Sequence, residues 1–165
     1  MEKENDRLKY TIDRLDHYYE SVNNKTAVYI AINTFFTGAV LTFTIQFKDY
    51  LVNNYSLLFF ISTIMILGIL NLLILARICI PYFPYKANSL YYFRSISKMK
   101  SDTFFEKSKD RKEKEDTKDL RTQVHELSCG LDKKFKKLTW VGVLLISQFF
   151  LLAPITYLII KKLIA

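Results

Sequence analysis

The chain has 165 residues, 50% of them hydrophobic and 24% charged, with a net charge of +8. Its mean hydropathy of +0.08 averages two materials: three uncharged apolar runs, Ala27–Phe47, Tyr55–Ala76 and Thr139–Ile160, and a strongly charged remainder. With 65 of the 165 residues in those runs, no length is left for a large soluble domain. The positive balance alone would suit nucleic acid or anionic lipid. A membrane protein with basic cytosolic loops carries such an excess anyway, so no nucleic-acid partner is expected.

Residues 1–26 predict a cytosolic helix. Leu8, Ile12, Leu15, Tyr19, Val22, Thr26 and Tyr29 recur at alternating spacings of 4 and 3, a heptad seam. No Pro or Gly interrupts it before Gly38, so one long helix should run on into the first span. No cleaved signal peptide is expected, because 26 polar and charged residues precede the first apolar run and no Ala-x-Ala site follows it.

Each apolar run has 21 or 22 residues and no Asp, Glu, Lys or Arg. As a helix each is roughly 32 Å long, enough for a hydrocarbon core of about 30 Å. The runs are continuously apolar and lack two-residue alternation, which argues against a β-barrel. The expected fold is an all-α membrane protein with transmembrane helices at 27–47, 55–76 and 139–160. The connection Lys48–Asn54 is short and polar, so the first two spans form an antiparallel hairpin.

Lys and Arg set the orientation. Five precede the first span and fifteen lie in Ile78–Leu138, against Lys48, Lys161 and Lys162 on the other side. The N-terminus and the segment 78–138 are therefore expected in the cytosol, and the C-terminus outside. Arg77 can snorkel from the inner end of the second span.

After Arg77, Pro81 and Pro84 should stop the helix and hold the chain extended. Asn88 or Ser89 can cap a helix Leu90–Lys100, with Leu90, Phe93, Ile96 and Met99 on one side. Ser101–Asp116 is rich in Lys, Glu and Asp and reads as a solvated loop or frayed helix. A second cytosolic helix is expected from about Thr117 into the third span, burying Leu120, Val124, Leu127, Leu131, Phe135 and Leu138, with Gly130 as a weak point. The three cytosolic helices should pack together.

No phosphate-binding glycine loop, His-Glu-x-x-His or zinc spacing occurs, and no catalytic constellation is visible; an enzyme, a metal site and a bound cofactor are not expected. His17 and His125 read as surface or helix-packing residues, and Cys79 and Cys129 as buried free thiols.

Two residue sets can carry function. The spans hold the uncharged polar residues Asn33, Thr34, Thr37, Thr42, Thr44, Gln46, Asn71, Ser147 and Gln148. Asn and Gln in lipid need partners across helices. Asn33, Asn71 and Gln148 could form a polar seam within one subunit, between subunits, or along a water path. Asn33 and Asn71 lie at similar depth and could pair. The cytosolic segment groups Tyr91, Tyr92, Phe93, Arg94 and Lys98, and later Lys133, Lys134, Lys136 and Lys137. Such cations suit anionic headgroups, or an anionic ligand whose base stacks on Tyr.

Several stretches resemble the transmembrane effector of the bacterial Pycsar anti-phage defence system. They are Asn23-Asn-Lys-Thr26, Asn33, Ile80-Pro81, Ser89-Leu-Tyr-Tyr-Phe-Arg94, Asp119-Leu-Arg-Thr-Gln-Val-His-Glu-Leu-Ser128 and Lys133-Lys-Phe-Lys-Lys-Leu138. An Asp-x-Lys-Ala-like start is usual there, and Asn23-x-Lys25-Thr26 departs from it, which weakens any role for an acid at position 23. The resemblance implies sensing of cyclic CMP or cyclic UMP, made by a partner pyrimidine cyclase, and damage to the inner membrane that arrests or kills the infected cell. Tyr91, Tyr92, Arg94, Lys98, Lys133 and Lys134 are the expected ligand-binding residues. Three helices enclose no useful pore alone, so a homo-oligomer is expected. A ligand-independent holin-like toxin and a membrane-anchored adaptor are the competing readings; the first has no evident need for about 60 cytosolic residues.

Overall fold

The computed structural model describes residues 2–52, 54–81 and 89–164. All elements among them are helices: α1 Glu2–Gln46, α2 Lys48–Val52, α3 Tyr55–Cys79, α4 Phe93–Ile96, α5 Ser101–Lys109 and α6 Glu113–Ile164. Three of these, α1, α3 and α6, are long and apolar enough to cross a membrane. At 45 and 52 residues, α1 and α6 have more than twice the roughly 20 residues a crossing requires.

Burial follows one rule on all three. In α1 the buried positions are Leu8, Leu15, Val22, Thr26, Asn33 and Phe36, with Ile12, Tyr19 and Tyr29 half-buried between them. In α3 they are Leu57, Ile61, Ile64, Gly68, Asn71, Leu75 and Ile78. In α6 the seam positions are Thr117, Leu120, Leu131, Lys134, Leu138, Val141, Leu145, Gln148 and Ile155, with Val124, Leu127 and Leu152 half-buried between them. Every sequence step between neighbouring seam positions is 3 or 4, which keeps one face of each helix inward, as in a left-handed bundle.

The chain divides into two compact units: Met1–Ser21 with Pro81–Lys134, and Val22–Ile80 with Phe135–Ala165. Residues of α1 and of α6 belong to both. The second unit holds an apolar cluster of Phe36, Leu51, Leu57, Ile61, Ile64 and Ile155. Asn54 caps α3 by accepting from the Leu57 amide at 3.2 Å. Most span hydroxyls satisfy themselves locally: Thr26, Thr42, Thr44, Ser147 and Thr156 each donate to the carbonyl four residues back at 2.7–3.1 Å. Their hydroxyls therefore need no partner on another helix. Pro154 lies inside α6, where its missing N–H is tolerated as it is in other spanning helices.

The described residues depart from the sequence expectation in several places. The helix expected over Leu90–Lys100 is only the single turn Phe93–Ile96. Its inward residues are Ser89, Tyr92 and Ser95, whereas Phe93 is 61% exposed. Ser89 Oγ accepts from the Tyr91 and Tyr92 amides at 3.2 and 3.1 Å, a local turn that competes with helix. The stretch expected as a solvated loop or frayed helix holds α5, which buries no residue, and α6 begins at Glu113, ahead of the expected Thr117, and runs unbroken through a buried Gly130. The thiols are free but not buried: Cys79 is exposed and Cys129 half-buried. Pro84 and Asn88 lie outside the described residues.

Candidate functional site

The polar residues of the second unit sort into two groups. Asn33 and Asn71 are both fully buried, and they meet. Asn33 Nδ2 donates to the Gly68 carbonyl at 2.9 Å. Asn71 Nδ2 donates to Asn33 Oδ1 and to the Val141 carbonyl, each at 3.4 Å. Two amides thus tie α1, α3 and α6 together within one protomer. For Asn33 and Asn71 the seam therefore lies within one chain. Gly68 is needed for this approach, because a Cβ there would collide with the Thr37 side chain. Gln148 is also fully buried, yet neither of its amide atoms has a hydrogen-bond partner among the described residues, and Thr37 Oγ1 and Asn71 Oδ1 share that condition.

The six expected ligand residues all fall in the first unit, and they do not face one way. Tyr91, Arg94, Lys98 and Lys133 are exposed; Tyr92 and Lys134 are buried. Tyr92 packs its ring on Phe93 with centroids 5.4 Å apart. Lys134 places its ammonium 5.8 Å from the centroid of Tyr19, whose hydroxyl donates to the Leu127 carbonyl at 2.9 Å. Lys134 thus occupies a seam position that sequence reasoning gave to a surface cation. Its methylenes pack inward, and its charge is held at an aromatic face.

Sequence reasoning missed the strongest electrostatic feature of this unit. Arg111 Nε lies 2.8 Å from Asp116 Oδ1, and its Nη2 lies 2.6 Å from Asp119 Oδ2. Asp119 Oδ2 also accepts from the Leu90 amide at 3.0 Å. Arg111 and Asp119 side chains are only 12% and 9% exposed. The available signal was Asp116-x-x-Asp119, two acids on one helical face beside a lone arginine. It was overlooked because Arg111 sits in a stretch whose composition reads as solvated. Two carboxylates over one guanidinium leave a net negative cluster, which opposes a further anion at that spot. Arg111 accordingly clamps the connection before α6 onto its first turns, and Asp119 ties Leu90 to the same place.

The clamp reaches the candidate ligand surface through Tyr91. Burial and then the Asp116 charge, with a smaller contribution from Asp119, raise the Tyr91 hydroxyl pKa above its ordinary value; Arg111 opposes them. On the same first turns of α6, Thr117 Oγ1 donates to Asn5 Oδ1 at 2.7 Å, and Arg121 pairs with Glu4 at 2.7 Å. Among the described residues no group of His, Cys, Asp and Glu could hold a metal ion.

No curated protein and no solved structure gives a significant match. The Pycsar effector protein domain matches residues 7–161, which takes in all three apolar helices, the buried Asn33–Asn71 pair and the basic segment between the second and third spans. The chain belongs to this family and is a transmembrane effector of the Pycsar anti-phage defence system.

Proposed function

We propose that this effector senses cyclic CMP or cyclic UMP, made by a partner pyrimidine cyclase after infection, and then impairs the inner membrane so that the infected cell stops growing or dies. The family match over residues 7–161 carries this reading. The basic excess before the first span and in 78–138 supports a cytosolic N-terminus and an external C-terminus. It would put the first unit where a cytosolic nucleotide could reach it.

A cyclic mononucleotide offers one negative charge and one flat base. Tyr91, Arg94, Lys98 and Lys133 present an exposed ring and exposed cations, the chemistry that such a ligand requires. Tyr92 and Lys134, turned inward, would support that surface and not contact the ligand directly. Because α1 and α6 are unbroken helices with residues in both units, a ligand that prefers one arrangement of the first unit would bias the spans. It does so only by its difference in affinity between the two states. Homo-oligomerisation in the bilayer would supply enough helices to surround a leak.

Titration of the purified full-length protein in detergent with cyclic CMP and cyclic UMP tests the sensor. Saturable binding of either supports it, and no binding at millimolar nucleotide removes it. Dye release from vesicles containing the protein, with and without nucleotide, tests the membrane step separately. Release that ignores nucleotide would favour a holin-like toxin.

A further inference from the structure

The two kinds of buried amide in the span core differ in a way that bears on how the membrane step works. Asn33 and Asn71 have partners on neighbouring helices. Gln148 is 0% exposed and has none among the described residues, for either its Oε1 or its Nε2. The Phe36 and Phe149 rings pack with centroids 5.0 Å apart, which sets Thr37 and Gln148, their chain neighbours, at one level of the bundle. Thr37 Oγ1 is also buried and unpartnered there. Other span hydroxyls avoid this cost by bonding the carbonyl four residues back. Buried polar atoms are nearly always paired, and in hydrocarbon an unpaired one is at its most costly.

Gln148 also breaks the pattern of its own helix. It occupies a heptad seam position between Leu145 and Leu152, where an apolar side chain would pack without penalty. A group that destabilises the closed bundle narrows the gap to an open one, so that less differential ligand affinity is needed to cross it.

We propose that Gln148 and Thr37 are the polar lining of the hydrated path that forms when the effector acts, with water as the ligand of their free hydrogen-bonding atoms. The inference rests on the membrane-impairing function proposed above. The Asn33–Asn71 pair, by contrast, keeps the register of the closed bundle.

Two measurements on the full-length protein test this. In detergent, Gln148→Leu and the isosteric Gln148→Met should each raise Tm by about 3 °C or more, without nucleotide; a Tm unchanged or lowered in both overturns the idea that the resting bundle leaves the amide unpaired. In vesicles of phosphatidylethanolamine and phosphatidylglycerol, a Gln148→Cys variant on a Cys79→Ser, Cys129→Ser background is treated with a charged, water-soluble methanethiosulfonate. Its thiol should be protected at rest and react at least about tenfold faster once millimolar cyclic CMP or cyclic UMP triggers dye release. Dye release with position 148 still protected overturns this inference and leaves the proposed function standing. No release from wild-type vesicles at either nucleotide overturns the function itself, and the inference with it.

Discussion

The two units bury their helices by the same heptad rule but are held by different forces. In the first, a thin set of buried side chains such as Leu8, Leu15, Leu120 and Leu131 is supplemented by charged ties: Arg111 with Asp116 and Asp119, and Arg121 with Glu4. In the second, the core is aliphatic and aromatic, and its interhelical ties are neutral amides meeting each other or backbone carbonyls. The difference follows from the surroundings. Against water, removing apolar surface is itself favourable. In lipid that gain vanishes, because hydrocarbon tails are as apolar as Leu, and association depends on packing and hydrogen bonds.

Matched substitutions sharpen that contrast. Leu120→Ala in the first unit loses both transfer energy and packing, and should cost about 2–5 kcal/mol. Leu57→Ala in the second, equally buried, should cost clearly less in reversible unfolding in bilayers, because only packing is lost. Equal costs would break the comparison. Next in size, Asp119→Ala removes one of the two carboxylates on Arg111 and the acceptor of the Leu90 amide, and should cost about 1.5–3 kcal/mol. Its signature is faster hydrogen exchange at Leu90.

Gly68→Ala should destabilise by about 1–3 kcal/mol, since Thr37 occupies the space of the new methyl. Gly38→Ala, where a Cβ meets nothing within 4 Å, should be neutral or stabilising by up to about 1 kcal/mol. Thermal unfolding in detergent compares the two. Asn71→Leu should cost about 0.6–2 kcal/mol, opposite in sign to Gln148→Leu, although both replace buried amides in the same unit.

The smallest effect is a pH dependence confined to the first unit. The Tyr91 pKa is raised in the fold, by burial first and Asp116 second. The folded state therefore holds its proton more tightly than the unfolded state. The associated stability is complete below the ordinary tyrosine value near 10.0 and is lost as pH climbs through the raised folded value. Tyrosinate absorbance should show a late-titrating component that Tyr91→Phe deletes. Normal titration at position 91 would place the ring farther from the Asp116 carboxylate than the structure has it.

The length and purity of the three apolar runs were enough to read three spanning helices, and the 4–3 spacing of Leu8 to Tyr29 was enough to read which face of α1 turns inward. Both are properties of a single helix, fixed by 1.5 Å and about 100° per residue, and need no partner to be seen. The same spacing, carried forward, places Asn33 on that face, and depth counted along two antiparallel spans brings Asn71 level with it. What tertiary structure alone decided is which polar group finds a mate among the described residues: Asn33 and Asn71 do, Gln148 does not, although all three are amides at seam positions. Likewise Tyr92 and Lys134 turn inward while Tyr91 and Lys133, one residue away, face out, and Arg111 closes on two aspartates from a stretch that composition marks as solvated. Partnership depends on the rotation and offset of separate helices, set by packing across the bundle, and no pattern within one helix encodes it.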